Sequence, residues 1–581
     1  MAARAWRPGS KRWQVAEPFA GAEDLAMRTS TSPLVAQILH NRGIDQPQAA
    51  RAFLNPKLAD LHDPAMLGGV EQAAKRIARA IADKQRIVIY GDYDVDGITA
   101  VAILLRCIRM AGGDAHYYVP HRVEEGYGVN AEAVRRIIAD GTKLMITVDC
   151  GISAAGPISE AAAAGMDVIV TDHHTPPERL PDACAVVHPA LPQAAYPNKE
   201  IAGAAVAFKL AWQIAREVCG KSRVDEAWSD LLLDATCLAA LGTIADAVPL
   251  TGENRALAAY GLKGLPGSRH VGLRALLASA GLTGERLDAY HVGFVLAPRL
   301  NACGRMGHAR LAVELLTDVT ADRAEKIATD LERQNAQRQR VERAITDQAV
   351  EMVESQRLAD ADHRAIVLAS ESWHSGVIGI VASRLVGRFN RPAILIAVNS
   401  QGGHGSGRSI PGFHMRDAMA ACAEHLVSFG GHAMAGGIRI DPRKIPDFTK
   451  AMLDYAAAHI SGDQLAPMLR IDAETTLAAL TFPVVNQIAK LAPFGQGNPR
   501  PIVALRGCEV VMPPRRMGQT GQTVGMVLRQ DGSTVRAVGF GMGDLADMPE
   551  GIRTVDVAAE PVISSFNRMT SVELSLRDVK W

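Results

Sequence analysis

The sequence predicts an α/β protein: a doubly wound parallel sheet, joined by a long helix to a second α/β domain and followed by an all-β tail. Three observations predict this. Between Arg86 and Val170, short β-rich runs alternate with Ala-rich helical stretches. From Ala321 to Gln356 there is neither glycine nor proline. After about residue 465, β-rich runs flank Asp531-Gly532, a dipeptide suited to a tight hairpin. With 581 residues the chain has room for about three or four domains.

Residues 1–80 read as a helical segment, Ala73–Ala82 being an example. The first α/β domain then spans 81–318. Its strands are expected at Arg86–Tyr90, Ala115–Val119, Leu144–Val148 and Asp167–Val170, with helices such as Thr99–Met110 and Ala154–Ala164 between them. Such alternation implies parallel strands with helices on both faces. Ligands of these sheets bind beyond the C-terminal strand ends. Asp92–Asp96, Asp149-Cys150-Gly151 and Asp172-His173-His174 all fall there and should converge.

The glycine-free stretch predicts a connecting helix over 319–357. Thr320 is its N-cap and its length is about 54 Å. Its middle, Glu332 to Arg340, has almost no apolar face, which suits a connector surrounded by solvent. Residues 358–460 mix strands (Ala365–Leu368, Ala393–Ile396) with helices. Glycines there cluster at Gly402–Arg408 and Phe429–His432, where backbone N–H groups can approach an anion; the rival reading of Gly405–Arg408 is an ordinary turn. Residues 465–581 form the β tail.

Composition bounds the function. A 48% hydrophobic and 21% charged chain suits soluble globular domains, and no apolar run is long enough to span a bilayer. Met1 to Trp13 is basic but has no apolar segment behind it, so no secretory signal is expected. Eight scattered cysteines without a C-x-x-C pair argue against disulfides and structural zinc and fit a reducing cytoplasm. Cys107, Cys150 and Cys303 read as small buried residues. The net charge is zero, so any nucleic-acid site must be a local patch.

The densest chemistry is Gly91-Asp92-Tyr93-Asp94-Val95-Asp96-Gly97. Side chains two apart on an extended chain point the same way. Two carboxylates 4 Å apart repel by about 4 kcal/mol at an effective dielectric of about 20. A hard cation, Mg²⁺ or Mn²⁺, would balance them. Asp94, Asp96, Asp149, His173 and Asp246 line up as candidate ligands. Their four negative charges match two divalent ions, which can activate a water and stabilise the oxygens at phosphorus.

These motifs resemble the DHH phosphoesterase superfamily, whose name-giving motif is Asp172-His173-His174. Within it the chain is similar to the single-strand-specific 5′→3′ exonuclease branch. The resemblance runs from about residue 70 to the C-terminus. It includes His121–Gly128, Gly203–Lys209, Ala297–Met306, Trp373–Gly379, Gly405–Ser409, Phe429–Gly437 and Phe494–Pro499. It implies a DHH catalytic domain, a DHHA1-type domain over 358–460 and an OB-fold barrel over 465–581. The implied activity is two-metal hydrolysis of single-stranded DNA from its 5′ end to mononucleotides, with Mn²⁺ or Mg²⁺, in repair and recombination in the cytoplasm.

The resemblance also implies roles. Asp94, Asp96, Asp149, His173 and Asp246 match metal ligands, and His174 matches the residue that touches the scissile phosphate. Asp172 orients a histidine, and Asp92 is read as supporting the ligands rather than joining them. Some relatives carry a histidine where this chain has Tyr90, which leaves one metal a more open shell. Arg122, Asn301, Arg305, Ser406, Arg408 and His432 match a terminal-phosphate pocket. That pocket draws on two domains, so a cleft is expected, its width set by the long helix. In the tail, Arg506, Arg515, Arg516, Arg529, Arg536 and Arg568 are candidate phosphate contacts, and Phe540, Phe566 and Trp581 candidate base-stacking residues. Ten basic residues against nine acidic from Arg500 onward make that signal soft. Single-stranded DNA is the implied partner, with a helicase and a single-strand-binding protein as protein partners, no membrane, and a monomeric state. The rivals are a DHH phosphodiesterase for oligoribonucleotides, cyclic dinucleotides or pyrophosphate, and a non-catalytic replication scaffold. The tail argues against the first and the intact ligand set against the second.

Overall fold

The computed structural model describes residues 11–121, 125, 126, 128–191, 195–306, 308–360, 362–566 and 569–581. Two compact units emerge. The parallel-sheet unit comprises Arg51–Ala336 and Leu491–Pro499. The barrel unit comprises the described residues up to Ala50, Gln337–Lys490 and Arg500–Trp581.

The parallel-sheet unit is built on β1 (Ile87–Gly91), β2 (Ala115–Tyr118), β3 (Leu144–Val148), β4 (Asp167–Thr171) and β5 (Ala185–Val187). Their spatial order is β2-β1-β3-β4-β5, and every pair is parallel. Every residue of β1 and β3 is buried, as strands covered on both faces require. Ile87, Ile89 and Ile146 pack with α1 (Val95–Met110), α2 (Gly203–Cys219) and α3 (Glu226–Ala245). Val88, Tyr90, Met145 and Val168 pack on the other side with Val134 and Ile137. The winding reverses between β1 and β3, because β2 lies to one side of β1 and β3 to the other. The C-terminal ends of β1 and β3 therefore open a crevice, where ligands of such sheets bind. Among the described residues, α3 is the one helix long and apolar enough to cross a membrane, and 61% of its apolar stretch is buried inside the fold.

α4 (Ala297–Met306) follows, and then α5, a single 35-residue helix over Ala321–Ser355. Ala324, Ile327 and Leu331 of α5 join the parallel-sheet core, while Ile345, Ala349 and Val353 join a core of the barrel unit. Its polar middle is partly solvated: Arg333, Gln337, Gln339 and Arg340 are exposed, while Asn335 and Arg338 are buried. Glu342 is buried and pairs with both Arg338 and Arg384, so charge complementarity replaces apolar packing there.

In the barrel unit, β6 (Ile366–Ser370), β7 (Ala393–Asn399), β8 (Gly402–Arg408), β9 (Ser428–Gly431) and β10 (Ala435–Ile440) form a mixed sheet, ordered β9-β10-β8-β7-β6. The glycine-dense Gly402–Arg408 is a central strand. Its backbone is engaged by β7 on one side and β10 on the other, which leaves no N–H cradle for an anion. The glycines serve packing. A Cβ at Gly403, Gly405 or Gly407 would lie 2.7 Å from Ile440 Cγ2, 2.4 Å from Ile438 Cγ1 or 2.9 Å from Met415 Sδ.

The tail closes as a five-stranded barrel of β11 (Val503–Met517), β12 (Thr523–Gln530), β13 (Ser533–Phe540), β14 (Thr554–Phe566) and β15 (Met569–Lys580), sealed by the pairing of β11 with β14. The N-terminal segment is less uniform than its helical reading. Arg12–Val15 is a strand, parallel to Met468–Ile471, because Trp13 and Val15 bury against Ile471, Ala504 and Ala558.

Candidate metal centre

Each candidate ligand is set by the end of a strand or helix. Asp94 caps α1, its Oδ1 accepting from the N–H groups of Asp96 (2.9 Å) and Gly97 (3.1 Å). Asp96, in the first turn of α1, accepts from Gly203 N–H (2.6 Å) and Ala204 N–H (2.8 Å) at the start of α2. The positive ends of two helices thus hold one buried carboxylate. A Cβ at Gly203 would lie 2.8 Å from Asp149 Oδ1, and one at Gly242 would lie 2.5 Å from Asp96 Oδ1. Asp149 follows β3 with φ +59°, the left-handed region that a non-glycine residue occupies only when its surroundings demand it. Asp246 caps the C-terminus of α3.

His173 draws these residues together. Its Nε2 is 3.1 Å from Asp149 Oδ1, 3.7 Å from Asp96 Oδ2 and 3.7 Å from Asp246 Oδ2. Asp92, Asp94 and Asp149 form an adjoining cluster with ligand atoms within 4.8 Å of one another. All five expected ligands therefore meet at the crevice, and Asp92 brings a carboxylate oxygen into the same cluster.

Burial first, and then mutual repulsion, pushes the Asp96 and Asp149 carboxyls far above the ordinary carboxylate range. The same causes raise Asp246 to about 7, with Asp94 as its repelling neighbour. Burial beside His174 lowers His173 to about 4, leaving a neutral imidazole suited to ligation. His173 Nε2 and Asp149 Oδ1 are buried and make no hydrogen bond. A site of anionic oxygens with an unpaired imidazole nitrogen fits a hard divalent cation.

Asp172 is buried against both histidines. Its Oδ1 accepts from His174 Nδ1 (2.8 Å) and from the N–H groups of His173 and His174, and its Oδ2 from Ile152 N–H. Burial lowers the affinity of His174 for a proton, but the Asp172 hydrogen bond and charge outweigh it and raise His174 to about 9. His188 Nε2 donates to the carbonyl of His174 (2.8 Å). The Tyr90 hydroxyl is engaged by other groups, donating to Gly128 O and accepting from Asn130 Nδ2. Sequence reasoning missed the Gly203–Ala204 N–H pair, Gly242 and His188. Only the Gly203-Ala204 motif carried a signal, since a glycine opening a helix invites close approach.

The phosphate-pocket residues divide between the units. Asn301 and Arg305 lie on α4, whose Gly304 comes so close to Tyr93 that a Cβ would sit 3.1 Å from the Tyr93 carbonyl. Arg122 lies outside the described residues. In the barrel unit, Ser406 and Arg408 share one face of β8, with Arg408 Nη1 donating to Ser406 Oγ (3.1 Å). A Cβ at Gly379, in the first turn of α6 (Ile378–Phe389), would lie 2.9 Å from Ser406 Oγ. His432 sits in the β9–β10 turn, which ends at Ala435, opposite Arg408 in the ladder.

On the barrel, Arg506, Arg516, Arg529 and Arg536 are ion-paired with acidic neighbours, which answers the near-cancellation of charge seen in the sequence. Phe540 is 70% and Trp581 44% exposed. Arg568 and the side chain of Phe566 lie outside the described residues.

Family models match the chain in three stretches: the DHH family N-terminal domain over residues 86–238, the DHHA1 domain over 362–458 and the RecJ OB domain over 471–578. The single-stranded-DNA-specific exonuclease RecJ of Bacillus subtilis is 38% identical over 98% of this chain and 70% of its own length. That of Dickeya dadantii is 34% identical over 94% of this chain and 95% of its own. The structure resembles Thermus thermophilus RecJ in complex with Mn²⁺, with a TM-score of 0.83 and 34% identity over 98% of this chain and 80% of that one. The Mg²⁺ complex of the same protein matches with a TM-score of 0.77 at 31% identity, over 98% of this chain and 79% of that one. The chain belongs to the RecJ family of single-stranded-DNA-specific exonucleases.

Proposed function

We propose that this protein hydrolyses single-stranded DNA from its 5′ end to mononucleotides, with two divalent ions, Mn²⁺ or Mg²⁺, in a two-metal mechanism. The observation that carries the reading is the buried, unpaired His173 Nε2 set 3.1 Å from Asp149 Oδ1 among carboxylates held by helix ends. Asp94, Asp96, Asp149, His173 and Asp246 would hold the ions. When bound, the ions lower the cost of forming a nucleophile from water and of charge building on the phosphate oxygens.

The side chains do the remainder. Asp172 fixes the His174 ring through Nδ1, so the imidazolium offers its Nε2–H to a phosphate oxygen as negative charge accumulates. Asp92 supports the ligands from beside Asp94 and Asp149 rather than joining them. Ser406, Arg408 and His432 are the residues of the barrel unit assigned to the terminal phosphate, guanidinium geometry matching that group, and the family resemblance gives Asn301, Arg305 and Arg122 the same role. Cellular roles in repair and recombination, a cytoplasmic location, a monomeric state, and a helicase and a single-strand-binding protein as partners belong to the same reading.

One assay tests its centre. A strand labelled at the 5′ end and another labelled at the 3′ end are digested with Mn²⁺ or with EDTA. The proposal expects metal-dependent release of labelled mononucleotide from the 5′-labelled strand at the earliest times. Early mononucleotide release from the 3′-labelled strand would reverse the assigned polarity.

A further inference from the structure

The nine residues Leu491–Pro499 belong to the parallel-sheet unit although the chain on both sides of them belongs to the barrel unit. They pack on the segment that follows Asp246. Gln496 O accepts from Leu250 N–H (2.8 Å). Gly495 and Gly497 lie so close that a Cβ would come within 2.8 Å of Leu250 Cδ1 and 3.0 Å of Pro249 Cβ. Asn498, fully buried, braces the segment from within, its Nδ2 donating to Leu491 O (2.8 Å) and Pro493 O (2.9 Å).

The parallel-sheet unit grips from the other side. Arg255 is 1% exposed and donates to Phe53 O (2.8 Å), Ala492 O (2.7 Å) and Pro493 O (3.4 Å). Asn254 Nδ2 donates to Pro249 O (3.0 Å) and Glu200 O (2.7 Å). Pro249-Leu250 is thus clamped between Asn254 and the 495–497 backbone. Only Ala247, at φ +60°, and Val248 separate that clamp from Asp246. Asp246 is the C-cap of α3, its N–H still donating to Gly242 O (2.9 Å), so the helix holds it from one side and the clamp from the other.

We propose that Leu491–Pro499, anchored by Arg255, is a positioning element for Asp246 that sets the affinity of the metal centre. The inference rests on the reading of Asp246 as a ligand. Partners that orient ligands change metal affinity by about 10–100-fold when lost.

The test reads Mn²⁺ binding rather than turnover. Mn²⁺-dependent rises in melting temperature are titrated for the full chain and for Asp246→Asn, Gly497→Ala, Arg255→Lys and Leu277→Ala, each also melted in EDTA. Gly497→Ala adds a methyl against Pro249 at a positive φ, and Arg255→Lys removes the fork that spans two carbonyls. Both should raise the half-saturating Mn²⁺ about tenfold or more. Leu277→Ala, a buried core truncation elsewhere in the unit, should lower the melting temperature in EDTA without moving that midpoint. Should Asp246→Asn leave the midpoint unmoved, the ligand reading fails. Should Asp246→Asn shift it while Gly497→Ala and Arg255→Lys do not, the positioning inference fails. Hydrogen exchange on the unaltered protein needs no variant to fold: Mn²⁺ should slow exchange in both 246–250 and 491–499. Protection confined to 246–250 would overturn the proposal.

Discussion

His173 Nε2 and Asp149 Oδ1 stand 3.1 Å apart, both buried, and neither makes a hydrogen bond. A buried polar atom without a partner costs about 1–3 kcal/mol, and two facing each other mark the point where a cation belongs.

Replacing one member of that pair should separate stability from metal response. Asp149→Asn keeps a side chain that tolerates φ +59° and removes the cost of burying an ionisable carboxyl, whether met by desolvating its charge or by taking up a proton. In EDTA the variant should melt about 2–4 °C higher, the shift that about 1 kcal/mol produces in a large domain. Its gain on adding Mn²⁺ should fall below half that of the parent. Differential scanning calorimetry with and without Mn²⁺ reads both, and an undiminished Mn²⁺ gain would remove Asp149 from the ligand set.

Asp172→Asn tests the orientation of His174. The amide cannot hold the imidazolium as the carboxylate does. We expect kcat on single-stranded DNA to fall about 10–100-fold with KM within about threefold and Mn²⁺ affinity preserved. Steady-state kinetics at saturating Mn²⁺ measure this; a loss confined to KM would assign Asp172 to substrate binding instead.

Arg408→Ala should discriminate between ends. Cleavage of 5′-phosphorylated strands should slow about tenfold more than cleavage of 5′-hydroxyl strands, since a bidentate guanidinium contact exists only for the former. Parallel time courses on the two substrates decide it, and equal losses would move Arg408 out of the pocket.

His270 predicts an acid-sensitive step away from the metal centre. Its Nδ1 accepts from Leu273 N–H (3.2 Å) as the cap of the helix Val271–Ser279, and its Nε2 donates to Leu316 O (3.0 Å). Burial first, then the nearby Arg106 charge, lowers its pKa below 6.5, while Asp234 and Asp318 oppose them. The folded state therefore binds fewer protons than the unfolded chain. Its contribution to stability is full above about pH 6.5 and is lost as pH falls through the folded value. Asn caps helices without titrating here, so His270→Asn should lose less melting temperature between pH 7.5 and pH 5 than the parent. Identical losses would place the acid sensitivity elsewhere.

Legibility varied with the physics that decides each element. β1, β3 and β4 were readable because strands covered on both faces must be continuous apolar runs. Polar motifs at their ends then had to converge, as Asp96, Asp149 and His173 do. β8 was not readable. Glycine is a poor strand former in isolation, and the reason it works here, the approach of Ile438, Ile440 and Met415, is tertiary. The clamp on Pro249-Leu250 was equally hidden, since Gln496 is about 250 residues away along the chain and acts through its backbone carbonyl.

The alternation along β8 also separates two tasks. Three hydrogens on one face leave room for the neighbouring strand's Ile438 and Ile440 and for Met415, while the serine and arginine stand on the other face. One added methyl at Gly405 would come within 2.4 Å of Ile438 Cγ1, so the ladder would have to give way and carry Ser406 and Arg408 with it, although neither is altered.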